Sequence, residues 1–444
     1  MRLTELRRAI DEPAVGAALY DLVRDLYPFC RSITGPGLRQ TLAALAARVP
    51  LTIHEVPTGT EVLDWTVPQE WTIRDAYIRR PGGERIVDFR EHNLHVMSYS
   101  TAVDATVSLQ ELKGHLFSLP EHPDWIPYRT SYYARRWGFC LSHRQLSELD
   151  DGEYEVRIDA DLAPGHLSYG EYVVPGAREE EVLITAHACH PSLANDNLSG
   201  LALVTLLAEH LTGLELRYSY RFLLMPGTIG SITWLSRNQP AVERIAHGLV
   251  AACVGDPGGL TYKRSRRGDA EVDRAAAQVL RHRGADAKTV DFSPYGYDER
   301  QFCSPGFNLP VGSLTRTPHG QYPQYHTSAD DLGFVRPEHL ADSFTAYLEV
   351  LEILEGNRRY ENLFPRGEPQ LGRRGLYPAT GGPQAEIETL GLLWVLNLSD
   401  GGWSLLDIAE RAGLAFDVIA RAADALAKHG LIAACPDGAD SEPA

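Results

Sequence analysis

The stretch EVLITAHACHPSLANDNLSG, residues 181–200, carries a continuous apolar run into a polar loop and then into the start of a helix. EVLITA has the length and β-branched content of a strand buried on both faces, the way strands of parallel sheets read. Buried strands ordinarily hand over to plain turns. This one ends on His187, meets His190 three residues later, and reaches Asp196 just before the helical pattern LSGLALVTLLAEHL. Downstream, YRFLLM, GLVAACVG and NLPVGSLT are further short apolar runs, separated by the helical patterns TIGSITWLSRN and AEVDRAAAQVLRHRG. Alternation of this kind predicts a layered α/β domain with a largely parallel sheet.

In an open α/β sheet, ligands sit beyond the carboxyl ends of the strands, so the residues that follow each strand matter most. His187 follows EVLITA, Asp256 follows GLVAACVG, and His326 lies in QYHTSADD beyond NLPVGSLT, while Asp196 opens the helix after the first strand. Two imidazoles and two carboxylates at one edge suit zinc, with an open position left for water. Each residue has a plainer reading by itself. Asp196 has the place of a helix N-cap, Asp256 precedes Pro257 and Gly258 as a turn-forming Asp does, and a histidine after a strand is ordinarily a hydrogen-bonded turn residue. The coincidence of all four favours a metal. His190 reads either as another ligand or, preferably, as an outer or substrate-facing group. Cys189 has no second cysteine nearby to support it as a ligand.

Outward from this core, residues 15–48 read as two helices broken by SITGPG, and residues 58–128 change to short alternating segments bounded by Pro, Gly and Asn, a small β-rich insertion. The α/β domain is therefore expected to be discontinuous, over 1–57 and 129–362. FPRGEPQLGRRGLYPATGGPQ supplies a linker over 363–383. Residues 384–444 then give three helical patterns and a terminal strand, the order of a winged helix. From residue 384 onward there are three basic residues against ten acidic ones, and the chain as a whole has 444 residues with a net charge of -17. Neither balance suits phosphate neutralisation, so binding of nucleic acid or anionic membrane is not expected. The six cysteines are scattered with no Cys-x-x-Cys pair, which argues against a disulfide framework or a thiolate zinc site. The first residues carry acidic groups where a signal peptide needs an apolar run, and a cytoplasmic protein is expected.

HACHPSLANDNLSG resembles the His-x-Asp … Asp-Asn-x-x-Gly core of the zinc-dependent exopeptidases, which include two-zinc aminopeptidases and glutaminyl cyclases. The likeness is closer to a bacterial aminopeptidase-like family with an inserted β-domain and a C-terminal winged helix, carried by YPFCRSITGPG, HEVPTGTEVLDWTVPQEW, IPYRTSYY, WGFCLS, SYGEYVVPG, PGTIGSITWLS, DERQFCSPGFNLPVGS and YHTSADDL. The resemblance implies metal ligation by His187, Asp196, Asp256 and His326, with Asp196 bridging if two metals bind. Two departures stand out. Gly227 occupies the place of a glutamate that serves as general base or second-metal ligand in those families, and Cys189 replaces the Asp that orients the first His. A single zinc is therefore expected rather than two.

Asp298 and Glu299, on the loop before NLPVGSLT, are the substitute proton carriers, with Glu299 preferred. Arg300 and Arg316 are candidates for a substrate carboxylate, and Tyr325 for a pocket wall. The reading as a whole is a zinc-dependent aminopeptidase-type hydrolase of small peptides or amide-linked metabolites. The rivals are a catalytically impaired metal-binding scaffold and a biosynthetic amide-processing enzyme of the cyclase or trimming type. Homo-oligomerisation is left open.

Overall fold

A computed structural model describes residues 1–377 and 383–436. Eight strands form one sheet, in the spatial order Thr52–Pro57, His166–Val174, Ser219–Met225, Glu181–His187, Ile245–Ala251, Val311–Thr315, Thr261–Lys263 and Lys288–Val290. Its centre is parallel: Glu181–His187 pairs with Ser219–Met225 on one side and Ile245–Ala251 on the other, and the latter pairs with Val311–Thr315. Antiparallel strands close the flanks. All seven residues of Glu181–His187 are buried, as the unbroken apolar run required. The one charge among them, Glu181, takes hydrogen bonds from Arg221 and from Arg244 Nε at 2.8 Å, so the buried carboxylate is paired.

Helices cover both faces. Gly200–Leu211 is buried at nearly every position because it runs under the sheet and against the helix Glu12–Leu26, and Pro337–Gly356 packs on the same layer. The helices expected on either side of SITGPG are Glu12–Leu26 and Pro36–Ala46. Among the described residues, no helix is long and apolar enough to cross a membrane, and all six cysteines are free thiols.

A second, four-stranded sheet has the order Arg85–Asp88, Glu70–Arg79, Glu153–Ala163, Val103–Ser108. Its longest strand falls after residue 128, so the β-rich unit expected over 58–128 runs on to Ala163 and the boundary moves. The reason is a period of two: Tyr154, Val156, Ile158 and Ala160 are buried in alternation, and that face needs both Glu70–Arg79 and Val103–Ser108 as partners.

The C-terminal unit takes its central strand, Arg359–Asn362, from before the expected linker, and pairs it with Asp400–Ser404 and Ile432–Ala434. Three helices, Pro383–Leu398, Leu405–Ala412 and Phe416–Lys428, complete a winged helix. It docks on the main domain through Arg274, whose Nη2 reaches Asp407 at 2.6 Å and Glu410 at 2.5 Å, and through Gln278 Nε2 donating to Leu414 O at 2.6 Å. Part of the expected linker and the stretch after residue 436 lie outside the described residues.

Candidate metal centre

The strand Glu181–His187 delivers its terminal histidine to the carboxyl edge of the sheet, and Ala194–Ser199 follows as an irregular wide turn in which Asp196 and Asn197 have non-helical backbone. That path aims the Asp196 side chain back over the strand end. Its carboxylate is fully buried and meets three imidazoles: Oδ1 lies 2.9 Å from His187 Nε2, and Oδ2 lies 3.4 Å from His190 Nδ1 and 2.9 Å from His326 Nε2. His187 Nε2 and His190 Nδ1 are 3.2 Å apart. Asp196 Oδ2 and His326 Nε2 are buried yet make no hydrogen bond, despite their short separation. His187, His190 and Asp196 form a group whose donor atoms lie close enough together to hold a metal ion.

An outer layer holds these groups in place. Asp330 accepts the backbone N–H groups of Asn195 (2.6 Å) and Asp196 (2.9 Å), fixing the turn. Asn197 Nδ2 donates to Ala251 O at 2.9 Å and lies 3.3 Å from His187 Nδ1, behind the ring. Tyr297 stacks on His187 with centroids 5.7 Å apart, Tyr325 stacks on His326 at 4.0 Å, and Tyr128 stands edge-on to both His190 and His326 at 5.1 Å.

The titration behaviour follows from this packing. Burial opposes the charge on Asp196, but His190, His187 and His326 outweigh it and hold the carboxyl well below its usual range. Burial pushes His190 down to about 4, keeping it neutral and able to coordinate. Burial likewise drives the Cys253 thiol well above its ordinary value, and its Sγ contacts the hydroxyls of Tyr297 (3.0 Å) and Tyr322 (3.2 Å).

Of the residues named from the sequence, the structure brings His187, His190 and His326 around Asp196 and leaves Asp256 apart. Asp256 is turned away. Its Oδ1 accepts from Thr317 Oγ1 at 2.5 Å and Gly258 N at 2.8 Å, and its Oδ2 from Asn195 Nδ2 at 3.1 Å. The cause is local: the strand ends at Ala251, and the five residues to Asp256 carry it past the edge. Cys253 stands nearer the strand end instead, with its N–H on Asn197 Oδ1.

Glu299 is also not free, because its buried carboxylate forms an ion pair with Lys263 Nζ at 2.5 Å. Asp298 sits at the start of the helix Ile229–Arg237, where Oδ1 accepts Thr228 N–H (2.7 Å) and Ser231 Oγ–H (3.0 Å). Burial raises the pKa of Asp298 against the opposing pull of His187. Arg316 is spent on structure, with Nη1 bound to Asp342 at 2.6 Å, whereas Arg300 makes only a 3.4 Å contact from Nη2 to Thr228 Oγ1. Of the aromatic frame, Tyr325 alone was singled out from the sequence; Tyr128, Tyr297 and Asp330 were missed, although Tyr128 and Asp330 lie in segments that carry the family likeness, IPYRTSYY and YHTSADDL.

Residues 20–357 match the family described as a domain of unknown function (DUF4910), and residues 358–434 match the winged helix-turn-helix family. The chain belongs to the DUF4910 family. A Clostridium acetobutylicum relative named "Putative polysaccharide biosynthesis protein with aminopeptidase-like domain" is 53% identical over 418 residues, covering 94% of this chain and 96% of its own. The crystal structure of a "putative peptidase" from the same organism superimposes with a TM-score of 0.93 at 50% identity, covering 98% of this chain and 100% of that one. BSAP, a zinc aminopeptidase from Bacillus subtilis, matches at a TM-score of 0.56 and 12% identity over 76% of this chain and 95% of its own. The main domain of this DUF4910 protein therefore has the aminopeptidase fold, with a winged helix at its C-terminus.

Proposed function

We propose that the protein is a zinc-dependent hydrolase of amide bonds in small peptides or amide-linked metabolites. The observation that carries this reading is the convergence of three imidazoles on one buried carboxylate, with Asp196 Oδ2 and His326 Nε2 left without hydrogen bonds. His187, His190, Asp196 and His326 would hold the ion, a donor set of nitrogen and oxygen that suits zinc. Zinc bound there supplies Lewis acidity toward a carbonyl oxygen and toward water.

The remaining work falls to the chain. Asp298 Oδ1 is saturated by Thr228 and Ser231, and among the described residues Oδ2 takes no hydrogen bond. Oδ2 is thus the atom that receives a proton from the attacking water and returns it to the departing amine, and burial raises its proton affinity toward the range such transfer needs. Asp298 replaces Glu299 in this role because Glu299 is committed to Lys263. Tyr297 and Tyr325 wall the site and keep the imidazoles in orientation. The name of the Clostridium relative adds amide-bearing sugar metabolites of polysaccharide assembly to the candidate substrates.

The test compares zinc content and amine release for the wild type and Asp298→Asn on a panel of dipeptides and N-acylated amino sugars. The variant is expected to retain the metal and lose about 10²–10⁴-fold in turnover. Equal turnover in the variant, or in protein stripped of metal, would refute the reading.

A further inference from the structure

Arg300 is the cation near the centre whose guanidinium is least engaged: Arg31 is spent on the carbonyls of His190 and Leu26. Lys263 is paired with Glu299 and Arg316 with Asp342. Among the described residues no carboxylate pairs with Arg300. Its Nε is buried without a hydrogen-bond partner, its Nη2 touches only Thr228 Oγ1 at 3.4 Å, and its Cζ lies 5.9 Å from the ring of Tyr295. A guanidinium is always charged and presents a planar fork of donors, so a buried Nε with no acceptor marks a place where an oxyanion is missing.

The surroundings connect that place to the centre. Thr228 follows Gly227, and a Cβ at Gly227 would make only ordinary contacts, 3.4 Å to Cys189 Sγ and 3.5 Å to His187 Cβ. The glycine therefore leaves room beside His187 that a side chain would otherwise fill. Tyr297, on the ring of His187, leads through His319 (5.0 Å) to Tyr295 (5.3 Å from His319), which forms the outer wall. Tyr295 is 70% exposed, so this end opens to solvent.

We infer that the site takes amides whose far end carries an oxyanion, a carboxylate or a phosphate, held by Arg300 beside Thr228 while the amide lies at the imidazoles. This rests on the hydrolase reading for the amide end but not for the anion end. Both oxyanions match the guanidinium fork. The start of the helix Ile229–Arg237 offers the anion no amide from Thr228, Ile229 or Gly230, because these N–H groups are taken by Asp298, Gly227 O and Pro226 O.

Binding is tested by calorimetry on the zinc-loaded full chain with three probes: N-acetylglycine, its phosphate counterpart O-phospho-N-acetylethanolamine, and the neutral N-acetylglycinamide. At least one anionic probe is expected to bind ten-fold or more tightly than the neutral one, and the tighter of the two identifies the oxyanion. In Arg300→Gln that preference should fall to within two-fold, while Arg300→Lys keeps part of it. Melting temperatures of the variants confirm that they fold, and if Arg300→Gln does not, the wild-type preference and the Lys variant decide. Equal binding of all three probes, or a preference that survives Arg300→Gln, would overturn the inference. Turnover is recorded separately: an anion preference that depends on Arg300 without hydrolysis of any amide counts against the hydrolase reading and for the anchor.

Discussion

Replacing His190 and replacing Asp256 should have opposite signatures. His190 lies in the cluster, with Nδ1 3.2 Å from His187 Nε2, whereas Asp256 accepts bonds from Thr317, Gly258 and Asn195 and faces no imidazole. A protein zinc site is worth about 10–16 kcal/mol, and sharing that among four donors gives roughly 3 kcal/mol each, so His190→Ala should weaken zinc binding on the order of a hundredfold. The fold should barely change, since the buried neutral imidazole leaves only a small void. Asp256→Ala removes an acceptor from several donors at once. Bonds to a charged group are worth about 1.5–3 kcal/mol each and do not add fully, so the cost is on the order of 3–5 kcal/mol of stability, with zinc affinity falling by no more than about 10-fold through the disturbed Asn195. Competition with a fluorescent chelator gives the affinities, and urea unfolding of the metal-free chains gives the stabilities. If Asp256→Ala loses zinc while remaining as stable as the wild type, or His190→Ala binds zinc like the wild type, the assignment of ligands is wrong.

Asp330→Asn puts an amide N–H against one of the two backbone donors that the carboxylate now accepts. Zinc affinity should drop about 10–100-fold without loss of any ligand, and an unchanged dissociation constant would exclude Asp330 from holding the turn. Free zinc at a hundred times its dissociation constant should stabilise the chain by about 2.7 kcal/mol, seen as a rise in melting temperature that Asp196→Ala and His326→Ala abolish; a rise that persists in both places the zinc elsewhere. His247, buried in the strand Ile245–Ala251, has its pKa pushed down to about 4 by burial. The fold thus prefers the neutral ring, the unfolded chain binds more protons below about pH 6.5, and stability is lost as pH falls from there toward 4. The shift corresponds to about 3 kcal/mol. His247→Leu should flatten that part of the urea-unfolding pH profile, and parallel profiles for variant and wild type would refute the claim.

What the sequence revealed and what it concealed divide along a physical line. EVLITA, YRFLLM and GLVAACVG were legible because a strand buried on both faces must be apolar throughout, and the parallel order then put His187 at the ligand edge. Asp196 and His326 were legible through that same edge. His190 was not, because the position of a residue three places into a loop depends on the path of the turn, which is set by Asp330 from more than a hundred residues away. Asp256 looked like a ligand because a strand end was counted to Gly255, when hydrogen bonding stops at Ala251. Arg300 and Arg316 looked alike because the difference between them is Asp342, on a helix that sequence spacing does not connect to either. The strand Glu153–Ala163 escaped the β-rich unit for a similar reason, since its partners precede it by some fifty to eighty residues.

The misplaced Asp256 still belongs to the centre in a way that explains its position. Asn195 Nδ2 donates to Asp256, Asn195 Oδ1 accepts from Gly255 N at 2.8 Å, and the backbone N–H of Asn195 is held by Asp330. Asn195 is therefore clamped from both sides, by the loop after Ile245–Ala251 and by the loop that carries His326. Because Asn195 immediately precedes Asp196, this clamp sets where the Asp196 carboxylate points. Three carboxylates are thus packed into a buried region, which would repel one another unless each were answered: Asp256 by hydroxyl and amide donors, Asp330 by two backbone N–H groups, and Asp196 by imidazoles. Of these three, Asp196 alone retains a buried oxygen without a hydrogen bond; the Glu299 oxygens, also without one, are answered by the Lys263 ammonium. The chain has satisfied the two carboxylates that orient the turn and left open the one that faces the histidines, the distribution expected if a cation completes it.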